Sequence, residues 1–157
     1  MSWPMTNRQL FLKVNTTAQY VGQIVDEQLR PIGIPGFLLA LLTHVRDNAP
    51  VSPSTVSLAS GVPTTTLRDN IQRLVDRRLV RRIPNPDDRR SYLLVLTRRG
   101  EAVTRAADPA LLEAYVALEQ QLRLPLEQYE LMLDELNEAL QGVVESFDET
   151  PSTARAR

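Results

Sequence analysis

The sequence predicts a mainly α protein with one small β-hairpin. Apolar residues recur at three- and four-residue steps along most of the 157 residues, the spacing of amphipathic helices. Two short runs, residues 79–83 and 92–96, read as strands joined by a polar loop. The eleven prolines fall where the periodic stretches begin or end.

The first stretch runs from Asn7 to Leu29, with Leu10, Val14, Ala18, Val21, Val25 and Leu29 on one face and Pro31 and Gly33 ending it. A second helix is expected from Gly36 to Asp47. Leu38, Leu41, Leu42 and Val45 form its core stripe, with Phe37, Ala40 and His44 as a neighbouring one. Ser52-Pro53 reads as an N-cap serine followed by proline at the first helical position, where a missing N–H costs nothing. That short helix reaches Ser60. Gly61-Val62-Pro63 then turns the chain into a helix over Thr64–Arg78, with Leu67, Ile71 and Leu74 inward. Two such helices joined by a glycine-containing turn with an inward valine form a helix-turn-helix pattern, one that many helical bundles also contain.

The next segment of chain makes the pattern more specific. Leu79–Ile83 and Tyr92–Leu96 are expected strands, and Pro84–Ser91 is a polar loop with arginines at its tip. A hairpin directly after the second helix is a wing, placed to reach a groove beside the one that helix enters. Thr97 caps a further helix with Glu101 in its first turn, and Asp108-Pro109 is expected to interrupt or kink it. Leu111, Tyr115, Leu118 and Leu122 continue its apolar face. After Pro125 a last helix carries Leu126, Tyr129, Leu133, Leu136, Leu140, Val143 and Phe147, a seven-residue rhythm suited to helix-to-helix packing within or between chains. Asp148–Arg157 reads as a flexible tail.

Composition narrows the chemistry. The length and the 43% hydrophobic content allow one substantial core. No apolar run approaches the roughly 18 residues that span a bilayer, and the N-terminus lacks a secretory layout, so a cytoplasmic location is expected with no membrane partner. Without cysteine there is no disulfide framework, thiol switch or thiolate ligand, and one histidine, His44, is a poor basis for a transition-metal site. No cofactor is expected. Neither a glycine-rich phosphate loop nor a histidine-with-nucleophile arrangement is present, which argues against an enzyme.

The net charge of −1 hides an asymmetry. Between Thr64 and Arg105 stand eleven arginines and five acidic residues, a local balance of +6; the remainder carries −7. A basic module flanked by acidic helices can meet a polyanion on one face. The alternative is a surface laced with its own salt bridges.

Together these residues resemble the MarR/SlyA family of bacterial regulators. The most specific stretch is Asn85-Pro-Asp-Asp-Arg-Arg-Ser-Tyr-Leu-Leu-Val-Leu-Thr-Arg-Arg-Gly100, with Leu58–Val62 and Leu74–Arg82 upstream. The resemblance implies a winged helix-turn-helix with N- and C-terminal dimerisation helices: residues 1–34 and 109–147 form the dimerisation region, 35–108 the DNA-binding region and 148–157 the tail. It further implies a homodimer bound to double-stranded DNA at a pseudopalindromic operator, acting as a repressor. In the wing, Asp88 and Arg90 fall on the family's Asp-x-Arg pattern, the arginine in the minor groove and the aspartate orienting it. A narrow A·T-rich groove is strongly negative and suits a guanidinium.

The helix that would enter the major groove departs from the family at Pro63-Thr64-Thr65-Thr66, where a serine cap and a basic residue are common. Its outward residues are Thr64, Thr65, Arg68, Asp69 and Gln72, which can meet base edges or phosphates. Arg73 and Arg77 either touch the DNA backbone or pair with Asp69 and Asp76; Arg89 joins Arg90 at the wing tip. By analogy with family members released by small aromatic ligands, Tyr20, Phe37, His44 and Tyr115 are candidate effector-pocket residues, although a lone histidine and scattered aromatics are more often core or plain surface. A winged-helix protein-interaction module that has lost DNA binding is the rival reading, and the arginine-rich wing argues against it.

Overall fold

The computed structural model describes residues 5–149. Six helices and one antiparallel hairpin follow in chain order among them: α1 (Met5–Leu29), α2 (Gly36–Asn48), α3 (Pro53–Ser60), α4 (Thr64–Asp76), β1 (Val80–Pro84), β2 (Tyr92–Leu96), α5 (Arg98–Glu119) and α6 (Leu126–Glu149). The expected tail lies outside the described residues except for its first two, which continue α6. Two compact units form, the first ending at Tyr115 and the second beginning at Val116.

The core belongs to the first unit. From α2 come Leu38, Leu39, Leu41, Leu42 and Val45; Val56 comes from α3, Leu67, Ile71 and Leu74 from α4, Val80 and Leu94 from the hairpin, and Ala107 from α5. Leu39 takes the place expected for the Phe37, Ala40 and His44 stripe. Phe37 and Ala40 are exposed and His44 is half-buried, so α2 buries a face one residue round from the expected second stripe. Helix α1 ends through a single 3-10 turn, Arg30–Ile32, closed by Gly33 at φ 72°, a backbone conformation open to glycine at little cost. Pro35 has no side chain with which to cap α2. The carboxylate of Asp26 on α1 replaces it, accepting from the Gly36 N–H at 2.7 Å. A Cβ at Gly36 would stand 2.7 Å from Val25 Cγ1, so the two helices meet at a glycine.

Helix α4 stops at Asp76, two residues before the expected end. The Leu79 N–H bonds to Leu74 O (2.9 Å) and the Arg78 N–H to Val75 O (2.8 Å), with Arg78 left-handed at φ 58°. This is a Schellman ending, in which the C′ residue turns the chain out of the helix. The turn carries the chain into β1 one residue later than expected, at Val80. β1 pairs with β2 from Val80↔Leu96 to Pro84↔Tyr92. Val51, just before α3, adds a bridge to the other edge of β2, exchanging both backbone bonds with Leu94 (3.1 and 2.8 Å).

Thr97 caps α5 as its position predicts: its Oγ1 accepts from the Gly100 N–H at 3.1 Å and donates to Arg78 O. A Cβ at Gly100 would lie 2.1 Å from Leu79 O, so only glycine lets α5 start against the corner where α4 turns into the wing. Pro109 does not interrupt the helix, and α5 runs through it to Glu119. Interior proline removes one i→i−4 bond and costs about 3 kcal/mol. Thr104 and Ala107 are buried before it and Leu111 packs on the core after it, which holds both flanking turns in place.

Candidate nucleic-acid interface

The helix-turn-helix is set by short-range chemistry. Ser52 Oγ accepts from the Thr55 N–H at 3.1 Å, starting α3. Gly61, at φ 65°, ends it in the left-handed conformation, and Ser57 Oγ donates to Val62 O at 2.6 Å across the turn. Val62 packs against the core and aims α4. Leu67, Ile71 and Leu74, at most 2% exposed, fix the roll of α4 about its axis. Thr64, Thr65, Arg68, Asp69 and Gln72 are thereby turned outward and exposed, as the sequence predicts, and Arg73 is exposed beside them.

The wing tip is built from its own side chains. Asn85 Oδ1 accepts from the Asp87 N–H (3.1 Å), Asn85 Nδ2 donates to Ser91 Oγ (2.9 Å), and the Ser91 N–H bonds to Asp88 O (3.0 Å). Asp88 Oδ1 accepts from the backbone N–H of Arg90 at 2.9 Å. The aspartate therefore acts on the backbone beneath Arg90; among the described residues it forms no ion pair with the guanidinium it was expected to orient. An aspartate bonding the N–H two residues on is the usual way such a turn is fixed. Arg89 and Arg90 stand exposed on it.

Thr64, Thr65, Arg68 and Asp69 of α4, Arg90, Ser91 and Tyr92 of the wing, and Pro53 of α3 line a cleft of about 540 Å³. The structure thus brings the outward face of α4 and the expected wing arginine to one concavity. The four expected effector residues do not line this cleft. Tyr20 and Tyr115 are exposed and His44 is half-buried, and none of the three lines this cleft or a second, smaller depression of about 420 Å³. Phe37 does line that depression, with Leu41, Val62, Thr66, Asp69, Asn70 and Arg73. Thr66 and Asn70 were missed because each reads as ordinary helix.

The charges decide between the two readings of the basic segment. Among the described residues, ion pairs join Arg30 to Glu27, Arg46 to Asp47 and Asp108, and Arg105 to Glu101. Among the same residues, Arg68, Arg73, Arg89 and Arg90 have no carboxylate partner. Pairing of Arg73 and Arg77 with Asp69 and Asp76 does not occur either: Asp76 accepts from Gln72, and Arg77 Nη1 donates to Gly33 O at 3.1 Å. A salt-laced surface would have neutralised this face locally, and it is not neutralised.

An outward second helix, a glycine turn and an arginine-tipped hairpin define a winged helix-turn-helix protein. Residues 38–91 match the family model described as MarR family. The chain is 34% identical over 93 residues to the HTH-type transcriptional repressor NicR of Pseudomonas putida KT2440, a match covering 59% of this chain and 56% of that protein. It is 29% identical over 90 residues to the multiple antibiotic resistance protein MarR of Escherichia coli K12, covering 57% and 62%. The matches thus span less than two thirds of the length of either curated relative. In fold, the chain is similar to a crystal structure of a mutant E. coli MarR complexed with operator DNA, with a TM-score of 0.76 and 23% identity over 86% of this chain and 99% of that one. Over its central part the chain is thus similar to members of the MarR family.

Proposed function

We propose that this protein is a sequence-specific DNA-binding transcriptional repressor that works as a homodimer. The observation that carries the reading is the set of arginines without carboxylate partners, Arg68 and Arg73 on α4 and Arg89 and Arg90 on the wing, on two elements that flank one cleft. Guanidinium groups without an internal counter-ion are free to neutralise phosphates, and the hydroxyls of Thr64 and Thr65 at the start of α4 suit phosphate or thymine-methyl contacts. Arg68 and Asp69 supply donor and acceptor for base edges, and Arg90 is the minor-groove reader.

Two copies fit the second half of the reading. Helix α1 exposes Leu10, Tyr20, Val21 and Ile24, and α6 exposes Leu133, Val143 and Phe147 on its seven-residue rhythm. Residues 1–34 and 109–147 form the dimerisation region on this view, and a second copy covers these rows. The relatives named as a repressor and as the multiple antibiotic resistance protein support regulation of transcription. A small aromatic effector finds its best seat in the depression beside Phe37, where it would touch α4 through Thr66, Asn70 and Arg73.

The test is a salt titration of binding to the DNA upstream of the protein's own gene. With roughly six phosphates neutralised in all, log K falls against log salt at a slope near −5. A flat response removes the reading.

A further inference from the structure

Gln72 occupies the outward face of α4, where a glutamine ordinarily reads adenine by donating from its amide nitrogen to N7 and accepting from N6 at its oxygen. In this structure both polar ends are already engaged. Nε2 donates to Asp76 Oδ1 at 2.7 Å, and Oε1 accepts from Arg82 Nη2 at 2.9 Å. The orientation of the amide is dictated by its partners, since a carboxylate only accepts and a guanidinium only donates. Arg82 lies on β1, across the left-handed turn at Arg78, and its guanidinium carbon stands 4.8 Å from the centre of the Tyr92 ring on β2. Arg82 pairs with Leu94 in the hairpin and Tyr92 with Pro84, so the two stack diagonally on one face of the wing. Tyr92 is also part of the wall of the cleft between α4 and the wing.

We infer that Gln72 is a positioning residue: together with Arg82, held on Tyr92, it struts the wing against the recognition helix and does not read a base. This rests on the DNA-binding reading above. The physical reason is that α4 and the hairpin must meet two neighbouring grooves at once. Backbone bonds at the Arg78 turn and between Val51 and Leu94, with the buried Val80 and Leu94, hold the base of the wing, and the Gln72–Arg82 bond adds a brace with one charged partner on its outer side. Its loss lowers affinity for every sequence alike, because what is lost is pre-organisation. Loss of a base contact would instead relax one base pair in each half-site.

The experiment selects duplexes from a randomised library with the wild-type full chain and, separately, with Gln72→Ala, and titrates both against the wild-type winner at one salt concentration. Expected is the same consensus from both proteins and an affinity about five- to tenfold weaker for Gln72→Ala, the net scale of one hydrogen bond. Arg82→Ala is expected to weaken binding in the wild type and to add almost nothing in the Gln72→Ala background. A consensus that changes at one base pair per half-site makes Gln72 a reader and overturns the inference, as does unchanged affinity. An Arg82→Ala loss of equal size in both backgrounds, with the salt slope reduced by about 1, makes Arg82 a phosphate contact and overturns it too. If the wild type enriches no duplex at all, the DNA-binding reading itself fails and takes the inference with it.

Discussion

The winged module and the terminal helices use their apolar residues in opposite ways. In α2, α3, α4 and the hairpin the leucines and valines close on one another, and Leu38, Leu42, Leu67, Leu74 and Leu94 are at most 2% exposed. In α6 the same residue types stay open: Leu133 and Val143 are each 51% exposed. Helix α1 buries only its last residue, Leu29, among its described side chains. The difference teaches that one region covers its apolar residues with contacts inside the chain, whereas the other two helices carry apolar rows that the single chain leaves exposed.

The largest effect tests that contrast directly. Replacing Leu133 and Leu140 together by glutamate is expected to yield a monomer or an unfolded chain, read by analytical ultracentrifugation beside circular dichroism. A wild-type chain that sediments as a folded monomer would break the comparison. Leu42→Ala, inside the closed core, is expected to cost about 2–5 kcal/mol in denaturant titration without altering the oligomer, because it removes contacts the single chain already makes. A smaller effect is expected at the wing. Arg90→Ala should weaken operator binding by about 1–3 kcal/mol and leave stability near wild type, since the residue stands on an exposed tip. Arg90→Lys should not restore full affinity, because a compact hydrated ammonium suits a narrow groove less well than a guanidinium. Equal losses on the operator and on a version with G·C pairs at the wing positions would reduce Arg90 to a diffuse phosphate contact. The smallest change is a gain: Arg78→Gly should raise unfolding stability by about 0.5–1 kcal/mol, as a left-handed C′ position suits glycine better than a residue with a Cβ. A loss of stability there would mean that the arginine side chain contributes more than its backbone strain.

Much of the fold and of the outward face of α4 was legible in the sequence because it is local. Ser52 and Thr97 cap helices through bonds three residues away, and Leu67, Ile71 and Leu74 declare the roll of α4 by spacing alone. The asymmetry of charge was equally plain, and so was the outward set from Thr64 to Arg73. The features that stayed hidden depend on partners distant in sequence. The continuity of α5 through Pro109 follows from the burial of Thr104 and Ala107 against the core, which no reading of Asp108-Pro109 contains. The engagement of Gln72 needs Arg82 to return across a turn ten residues on. The bond of Asp88 to the backbone N–H of Arg90 is local, two residues away, yet the Asp-x-Arg pattern points to the guanidinium and not to that N–H.

The bridge between Val51 and Leu94 has a consequence for self-association. A two-stranded wing has two open rims, each a row of backbone groups on which a foreign strand can grow. Val51 occupies part of the rim along β2. The rim along β1 carries Arg81 and Arg82, like-charged with the same strand in any second copy, and ends at Pro84, which has no N–H to offer. The hairpin can therefore project into solvent, apolar on its inner side, without seeding sheet growth from one molecule to the next.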